Sequence, residues 1–443
     1  MKRLSACLFL CILLLAACSP ASPTPVPTAT VLPTPVPGVL SVDPAQDLGP
    51  ISPYLYGTNY GPQAAVPMAM MPLAEQGGFK VLRFPGGAWG DSIDLAPFQI
   101  DQFIAFCKQV GAIPTISVRL LGGTPEKAAE LVRYTNIEKK YGVVYWSIGN
   151  EPNIYTALKQ VKYDYTIDNL NQDWRPIALA MKAVDPGIKI LGPELSQWNV
   201  DYATTPKDSS GRDWMTEFLK ANGDLVDVVS VHRYPMYSPN GPISIQNLRD
   251  NTRQWNTEVA YLKTLINQVT GRDIPVAFTE VNSDPSSIML QTASPDSFYN
   301  AIWYADVLGH MIQSRVFMVN QWVISSHSGG LGLFHSSDVR PTYYVFPLYM
   351  NFGSEQVYAA SGAADVDIFA STRSDGTLTL MVINLSDTDQ RVPLQIKGLT
   401  PASAEVWLLD ATHNAENLGQ QPLPEDGILS LPAQSATLYV IAK

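Results

Sequence analysis

The chain is predicted to fold as an α/β (β/α)8 TIM barrel followed by a C-terminal antiparallel β-sandwich domain. Three observations predict this. Between residues 54 and 323, eight short runs rich in β-branched residues alternate with longer segments of helical spacing, the alternation a closed parallel barrel needs. Beyond residue 353 the pattern changes to short period-two runs separated by turn signals, as a sandwich requires. The polar residues of the eight runs gather at their C-terminal ends, the face on which barrels build their sites.

The eight runs are "YLYGTNY" (54–60), "KVLRFPG" (80–86), "IPTISVRL" (113–120), "VVYWSIGNE" (143–151), "IKILGPE" (188–194), "VDVVSVHRY" (226–234), "IPVAFTEVN" (274–282) and "VFMVNQWV" (316–323). Between them, Trp174, Ile177, Ala178 and Met181, and later Trp255, Val259, Leu262, Leu265 and Ile266, recur at steps of three and four and so share one helix face. These helices are expected to stop at "DPG" and "TGRD". "SPDSFYNAIW" is expected to open the seventh helix with Ser294 as cap and Pro295 in the first turn, and "PTYYVFPLYMNFG" to form the eighth. A doubly wound open sheet is the rival fold, but no Gly-rich phosphate loop follows the first run.

The sandwich is read from "DVDIFASTR", "LTLMVINLS", "RVPLQIKGL", "AEVWLLD" and "ATLYVIAK". The early "GVLSVDP" is a candidate to add a strand to it before the barrel begins. The barrel domain is therefore set at residues 39–353 and the sandwich at 354–443.

Residues 1–18 read as an export signal. Lys2 and Arg3 precede an apolar stretch from Leu8 to Ala17, too short to span a membrane, and then Cys18. "LAAC" resembles a bacterial lipoprotein signal, which implies lipidation of Cys18; ordinary signal cleavage nearby is the alternative. Residues 19–38 alternate Pro with Ser, Thr, Ala and Val, a composition that favours an extended stalk over a packed core. An exported, surface-held protein contacting the membrane through an N-terminal lipid anchor only is the expectation.

Of the four cysteines only Cys107 lies beyond this leader, so stability must come from a large core, which 443 residues with 46% hydrophobic composition can bury. The net charge of −11 argues against nucleic acid as a partner and suits a neutral ligand.

At the strand ends stand Asn59, Arg83, Arg119, Asn150 with Glu151, Glu194, His232 with Tyr234, Glu280 with Asn282, and Gln321 with Trp322. Glu151 and Glu280 close the fourth and seventh runs, which face each other across an eight-stranded barrel. Two carboxylates aimed into one pocket are the minimal equipment for hydrolysing a glycosidic bond: one protonates the leaving oxygen, the other attacks the sugar carbon or activates water.

"SIGNEPNIY" and "VAFTEVN", with "LRFPGG" upstream and "VHRYP" between, resemble the clan A glycoside hydrolases, retaining enzymes on this barrel. "RFPGG" and "YWSIGNEP" resemble family 51, while "TEVN" and "AMKAVDPGIKILGPE" are similar to families 39, 44 and 79; after "PGG" the chain reads "AWGD" where the family 51 pattern continues with Asn. The resemblance implies that Glu151 is the general acid and base, Glu280 the nucleophile, and Asn150 a ligand of the sugar 2-hydroxyl. It also implies that Tyr234 bonds the nucleophile and that Trp322 forms an aromatic floor for a sugar ring.

For a retaining enzyme, Glu280 must be ionised and Arg83 would lower its proton affinity, while Glu151 must hold a proton in the first step and release it in the second. Each supporting residue has a structural alternative: Arg83 as neutraliser of buried carboxylates, His232 as a satisfied core histidine, Trp322 as core, and Glu194 with Trp198 as parts of the fold. Asn59 is set among the substrate-binding residues with them.

The five histidines show no metal-ligand spacing, and "SSHSGGLGLFHSS", with His327 and His335, is expected to shape the pocket. No cofactor or metal is expected, and the partner is a carbohydrate substrate. The alternative function is a surface glycan-binding lipoprotein without catalysis, which would be expected to have lost one of the two carboxylates.

Overall fold

The computed structural model describes residues 33–61, 65–199, 201, 203–286 and 288–442; Cys18 and residues 1–32 lie outside them. Residues Pro35–Lys443 form one compact unit. It opens with β1 (Leu40–Pro50), then eight parallel strands close a barrel in sequence order: β2 (Gly57–Asn59), β3 (Val81–Phe84), β4 (Ile113–Val118), β5 (Tyr145–Ile148), β6 (Lys189–Leu195), β7 (Val228–Arg233), β8 (Val276–Val281) and β9 (Met318–Gln321). Strand β9 pairs back onto β2. All eight predicted runs are therefore strands of one closed sheet. Their near-continuous burial follows from helices covering the outside and packed side chains filling the inside.

The helices obey the spacing of their apolar residues. Ile167–Val184 buries Leu170, Trp174, Ile177, Ala178 and Met181 and stops at Asp185. Gln254–Thr270 buries Trp255, Val259, Leu262, Leu265 and Ile266 and ends on Gly271 at φ 65°, the left-handed conformation glycine adopts without cost. The seventh helix starts later than expected. It spans Phe298–Gln313 and is capped by Ser297, whose side chain accepts from the Asn300 N–H at 3.1 Å. Ser294 instead donates to Asp296 and accepts from the Gln291 N–H within the preceding loop. The expected eighth helix is only a 3-10 turn, Pro341–Tyr344, and one short helix, Val345–Tyr349, because Pro347 cannot donate to an extended helical ladder.

After the two-residue strands β10 (Phe334–His335) and β11 (Asp338–Val339) come β12 (Glu355–Ser361), β13 (Val366–Thr372), β14 (Leu378–Asn384), β15 (Gln390–Ile396), β16 (Ser403–Leu409), β17 (Glu416–Pro422), β18 (Ile428–Leu431) and β19 (Ser435–Ile441). Nine strands bond in the order β17-β16-β19-β14-β13-β12-β1-β15-β18. Val392 of β15 and Leu429 and Leu431 of β18 share one apolar core with Leu380, Val406 and Tyr439 from the other end, so the sheet curls over itself as a sandwich. β1 joins antiparallel to β12 and parallel to β15; the first strand among the described residues thus belongs to the last domain. β17 escaped sequence reading because it is an edge strand, largely exposed and without alternation.

Three register shifts matter for the site. The β6–β7 pairing slips between Pro193 and Leu195, β7–β8 between Val231 and His232, and β8–β9 between Phe278 and Val281. Such bulges re-aim side chains, and here they fall at Glu194, His232 and Glu280.

Candidate active site

The C-terminal ends of the barrel strands surround a cleft of about 760 Å3, lined by Asn150, Glu151, Tyr234, Glu280 and Trp322 among others. Glu280, from β8, sits at its base and is 3% exposed. Its Oε1 accepts from Arg83 Nη1 at 3.0 Å and from the Gly87 N–H at 3.2 Å, and its Oε2 from the Tyr234 hydroxyl at 2.7 Å. Those three donors fix the carboxylate's plane.

Gly87 is there for two reasons. Its φ is +67°, and a Cβ would stand 2.5 Å from the Trp322 ring, so only glycine lets this backbone lie between the indole and Glu280. Trp322, half-buried, packs against this loop as one wall of the cleft.

Glu151 follows β5 in a left-handed backbone conformation, φ 52° and ψ 49°, which costs a non-glycine residue of order 1 kcal/mol or more and marks functional positions. Neighbouring contacts hold it there: its N–H donates to the Glu194 carbonyl at 2.9 Å, and the Asn150 N–H donates to Asp91 Oδ2 at 2.7 Å. The Glu151 side chain remains 18% exposed and its Oε1 meets His232 Nδ1 at 3.0 Å. A carboxylate oxygen of Glu151, one of Glu280 and a ring nitrogen of His232 lie within 4.8 Å of one another.

Below this layer is a second one. Arg83 is 1% exposed and donates to Asn59 Oδ1, Glu280 Oε1 and Asn150 Oδ1, each at 3.0 Å, with Glu194 at 3.3 Å. His232 Nε2 meets Glu194 Oε2 at 2.9 Å, and Ser230 and Thr279 donate to the same carboxylate. Asn59, Arg83, His232 and Glu194 are all essentially unexposed. They lie beneath the cleft and position Asn150, Glu151 and Glu280, rather than standing on its wall as the substrate-binding residues the sequence predicts.

His327 is exposed, and neither it nor His335 lines the cleft. Trp198 is core, stacked on Tyr261. Asp91 was missed: buried, it accepts from the Leu120, Leu121 and Asn150 N–H groups and from the Tyr155 hydroxyl. Its only sequence signal is the aspartate of "PGGAWGD", which carries no pattern of its own.

Burial disfavours the His232 cation, yet Glu280, Glu151 and Glu194 overcome this and raise its pKa to about 9. Burial would likewise push Glu194 up, but Arg83 and His232 hold it at about 2. Glu280 is raised: burial leads, and the charge of Glu151 adds to it, against the opposing pull of His232 and Arg83. Arg83 therefore eases ionisation of Glu280 as expected, without reversing the net direction.

The stability that His232 contributes is fully present below its ordinary 6.5 and is lost as pH rises through about 9; that of Glu194 is present above 4.5 and lost as pH falls through about 2. Their joint contribution is fullest between pH 4.5 and 6.5. Thermal unfolding is expected to show Tm falling from about pH 6.5 to 9; a Tm rising over that interval would contradict an imidazolium between these carboxylates.

A model described as glycosyl hydrolases family 39 matches residues 132–392. The chain belongs to that family. It is a glycoside hydrolase. Residues 363–434 match the C-terminal immunoglobulin-like domain of D-apionate lactonase, in keeping with the sandwich.

This family 39 member is similar to mouse heparanase, 21% identical over 389 residues, covering 77% of the chain and 68% of that protein. It is also similar to the Streptomyces lividans intracellular exo-α-(1→5)-L-arabinofuranosidase, 25% identical over 212 residues and 38% of the chain; the match spans only 30% of that protein's length. Among solved structures, the family 51 α-L-arabinofuranosidase of Thermotoga petrophila superposes with TM-score 0.71 at 20% identity, covering 91% of the chain and 100% of that chain. A family 44 xyloglucanase of Paenibacillus polymyxa gives 0.70 at 17%, covering 91% and 99%. The two structural likenesses show a shared fold of barrel plus sandwich.

Proposed function

We propose that this glycoside hydrolase works with retention, by double displacement, on neutral oligosaccharides or polysaccharides outside the cell. One observation carries the reading: a Glu151 oxygen and a Glu280 oxygen approach within 4.8 Å, which supports the roughly 5–5.5 Å carboxyl separation of retaining enzymes over the roughly 6.5–9.5 Å of inverting ones.

Glu280 is the nucleophile. It is deeper, its plane is fixed by Arg83, Gly87 and Tyr234, and its raised proton affinity makes the carboxylate reactive once ionised. It attacks the anomeric carbon and forms a glycosyl ester, while Glu151 protonates the departing oxygen. Glu151 is the more exposed of the two and meets the leaving group at the open side. A water then enters, gives its proton to Glu151 and cleaves the ester. Asn150 bonds the 2-hydroxyl in this reading, supported by its fixation by Arg83 and Asp91.

The stereochemistry of the first-formed sugar, followed by NMR, tests this. Retention is the expected result; inversion would overturn it. Trp322→Ala is expected to raise KM about tenfold with a smaller change in kcat, as loss of a stacking wall does; a fall in kcat at unchanged KM would place the indole elsewhere in the mechanism.

Export and anchoring through Cys18 form part of the same reading, supported by the apolar stretch Leu8–Ala17 and the Pro-rich segment after it. Cys18→Ala is expected to lose the lipid mass from the mature N-terminus. Binding of glycan without turnover has less support, because both carboxylates are present and line one cleft.

A further inference from the structure

A second group of titratable side chains lies away from the cleft, between helix Phe298–Gln313 of the barrel and β13 of the sandwich. Asp306 and His310 are four residues apart on that helix and share a face; Asp367 comes from β13. One carboxylate oxygen of each aspartate and one ring nitrogen of His310 lie within 4.8 Å of one another. Asp306 is fully buried and His310 is 6% exposed.

Both carboxylate oxygens of Asp306, Nε2 of His310 and Oδ2 of Asp367 are buried with no hydrogen-bond partner among the described residues. The contact between His310 Nε2 and Asp306 Oδ2 is long, at 3.4 Å. In the catalytic cleft, by contrast, Glu151, His232 and Glu280 each have partners. Buried carboxylates without partners are costly, and four such atoms from three residues converge here. The arginines on this side, Arg249 and Arg253, form their ion pairs with Asp365, each at 3.8 Å.

We propose that Asp306, His310 and Asp367 bind a divalent transition-metal ion, with Zn2+ the best match, and that the ion ties the barrel to the sandwich. Two carboxylates and a neutral imidazole carry a charge that one divalent cation cancels, and three N/O ligands with a water as fourth form a common zinc set. The ring is held with Nε2 on the Asp306 side. The Asn256 amide nitrogen lies 3.1 Å from Nδ1 and its oxygen accepts from the Ser314 hydroxyl at 2.7 Å, so binding of the ion through Nε2 requires this amide to flip and present its oxygen to an Nδ1–H. The Phe369 ring meets the imidazole edge-on with centroids 5.3 Å apart, closing the site to solvent on the sandwich side.

The test uses the full, tag-free chain. Elemental analysis after dialysis against buffer containing Zn2+ is expected to find about one zinc per chain, and removal by a chelator to lower Tm by at least about 3 °C, restored on adding Zn2+ back. Asp306→Asn and His310→Gln are expected to abolish stoichiometric zinc, while Glu280→Gln, in the catalytic cleft, keeps it. Less than a tenth of an equivalent of zinc in the unmodified chain, with Tm indifferent to chelator and to Zn2+, would overturn the proposal. So would an equivalent of zinc retained by both the Asp306 and the His310 variants.

Discussion

Glu280→Gln is expected to lower kcat by about 10^4-fold or more while leaving Tm equal to or above that of the unaltered protein. The two halves of this result share one cause. Glu280 is almost fully buried, and burial together with the nearby charge of Glu151 raises its proton affinity, so its ionised form is maintained at the expense of stability. A glutamine keeps one acceptor oxygen for Arg83 and Gly87, turns its amide nitrogen as a donor to the Tyr234 oxygen, and removes the charge. It cannot form the glycosyl ester.

Glu151→Ala is expected to behave differently, because it removes a proton donor and leaves the nucleophile. Substrates with poor leaving groups should lose about 10^2- to 10^4-fold in kcat/KM, whereas activated aryl glycosides should lose little in the first step, with turnover restored by azide. Steady-state rates on a pair of substrates differing only in leaving group measure both variants. A Glu280→Gln enzyme retaining a tenth of its activity, or a Glu151→Ala enzyme losing rate equally on both substrates, would reverse or remove the assigned roles.

Arg83→Met is expected to destabilise the fold by about 3–5 kcal/mol, more than any single change at the cleft wall. Arg83 bonds Asn59, Asn150 and Glu280 and lies against Glu194. Without it, two buried carboxylates face each other with His232 as the remaining cation. The urea midpoint of unfolding reads this loss directly. Adding Glu194→Gln to Arg83→Met should recover part of it, because the second change removes one of the stranded charges. A double variant less stable than the single one would show that Arg83 acts through packing rather than charge.

The strand ends of the barrel were legible because their chemistry conflicts with their setting. Glu151 after "YWSIGN" and Glu280 after "VAFT" interrupt runs that are otherwise buried, and such a conflict is stable only where a strand opens into a site. The alternation of eight runs carried the closed sheet for a similar reason, since parallel strands covered on both faces must be apolar throughout. Asp91 was not legible, because its work is to receive N–H groups from Leu120, Leu121 and Asn150, and a backbone amide has no signature in a side-chain pattern. Strand β17 and the Ser297 cap were lost to weaker signals, an exposed edge without alternation in one case and several adjacent serines competing for one helix start in the other.

By itself, then, the sequence determined the eight strands of the barrel, the presence of a sandwich after it and the two carboxylates that face the cleft. Each of these is written in local periodicity or in a polar residue set against an apolar run. Only the tertiary structure decided that Asn59, Arg83, Glu194 and His232 work from beneath the cleft. It alone also brought Asp306 and His310 to Asp367. These arrangements depend on bulges at strand ends and on the packing of segments far apart in the chain. Such distances between side chains are set by the whole fold and by no stretch of residues alone.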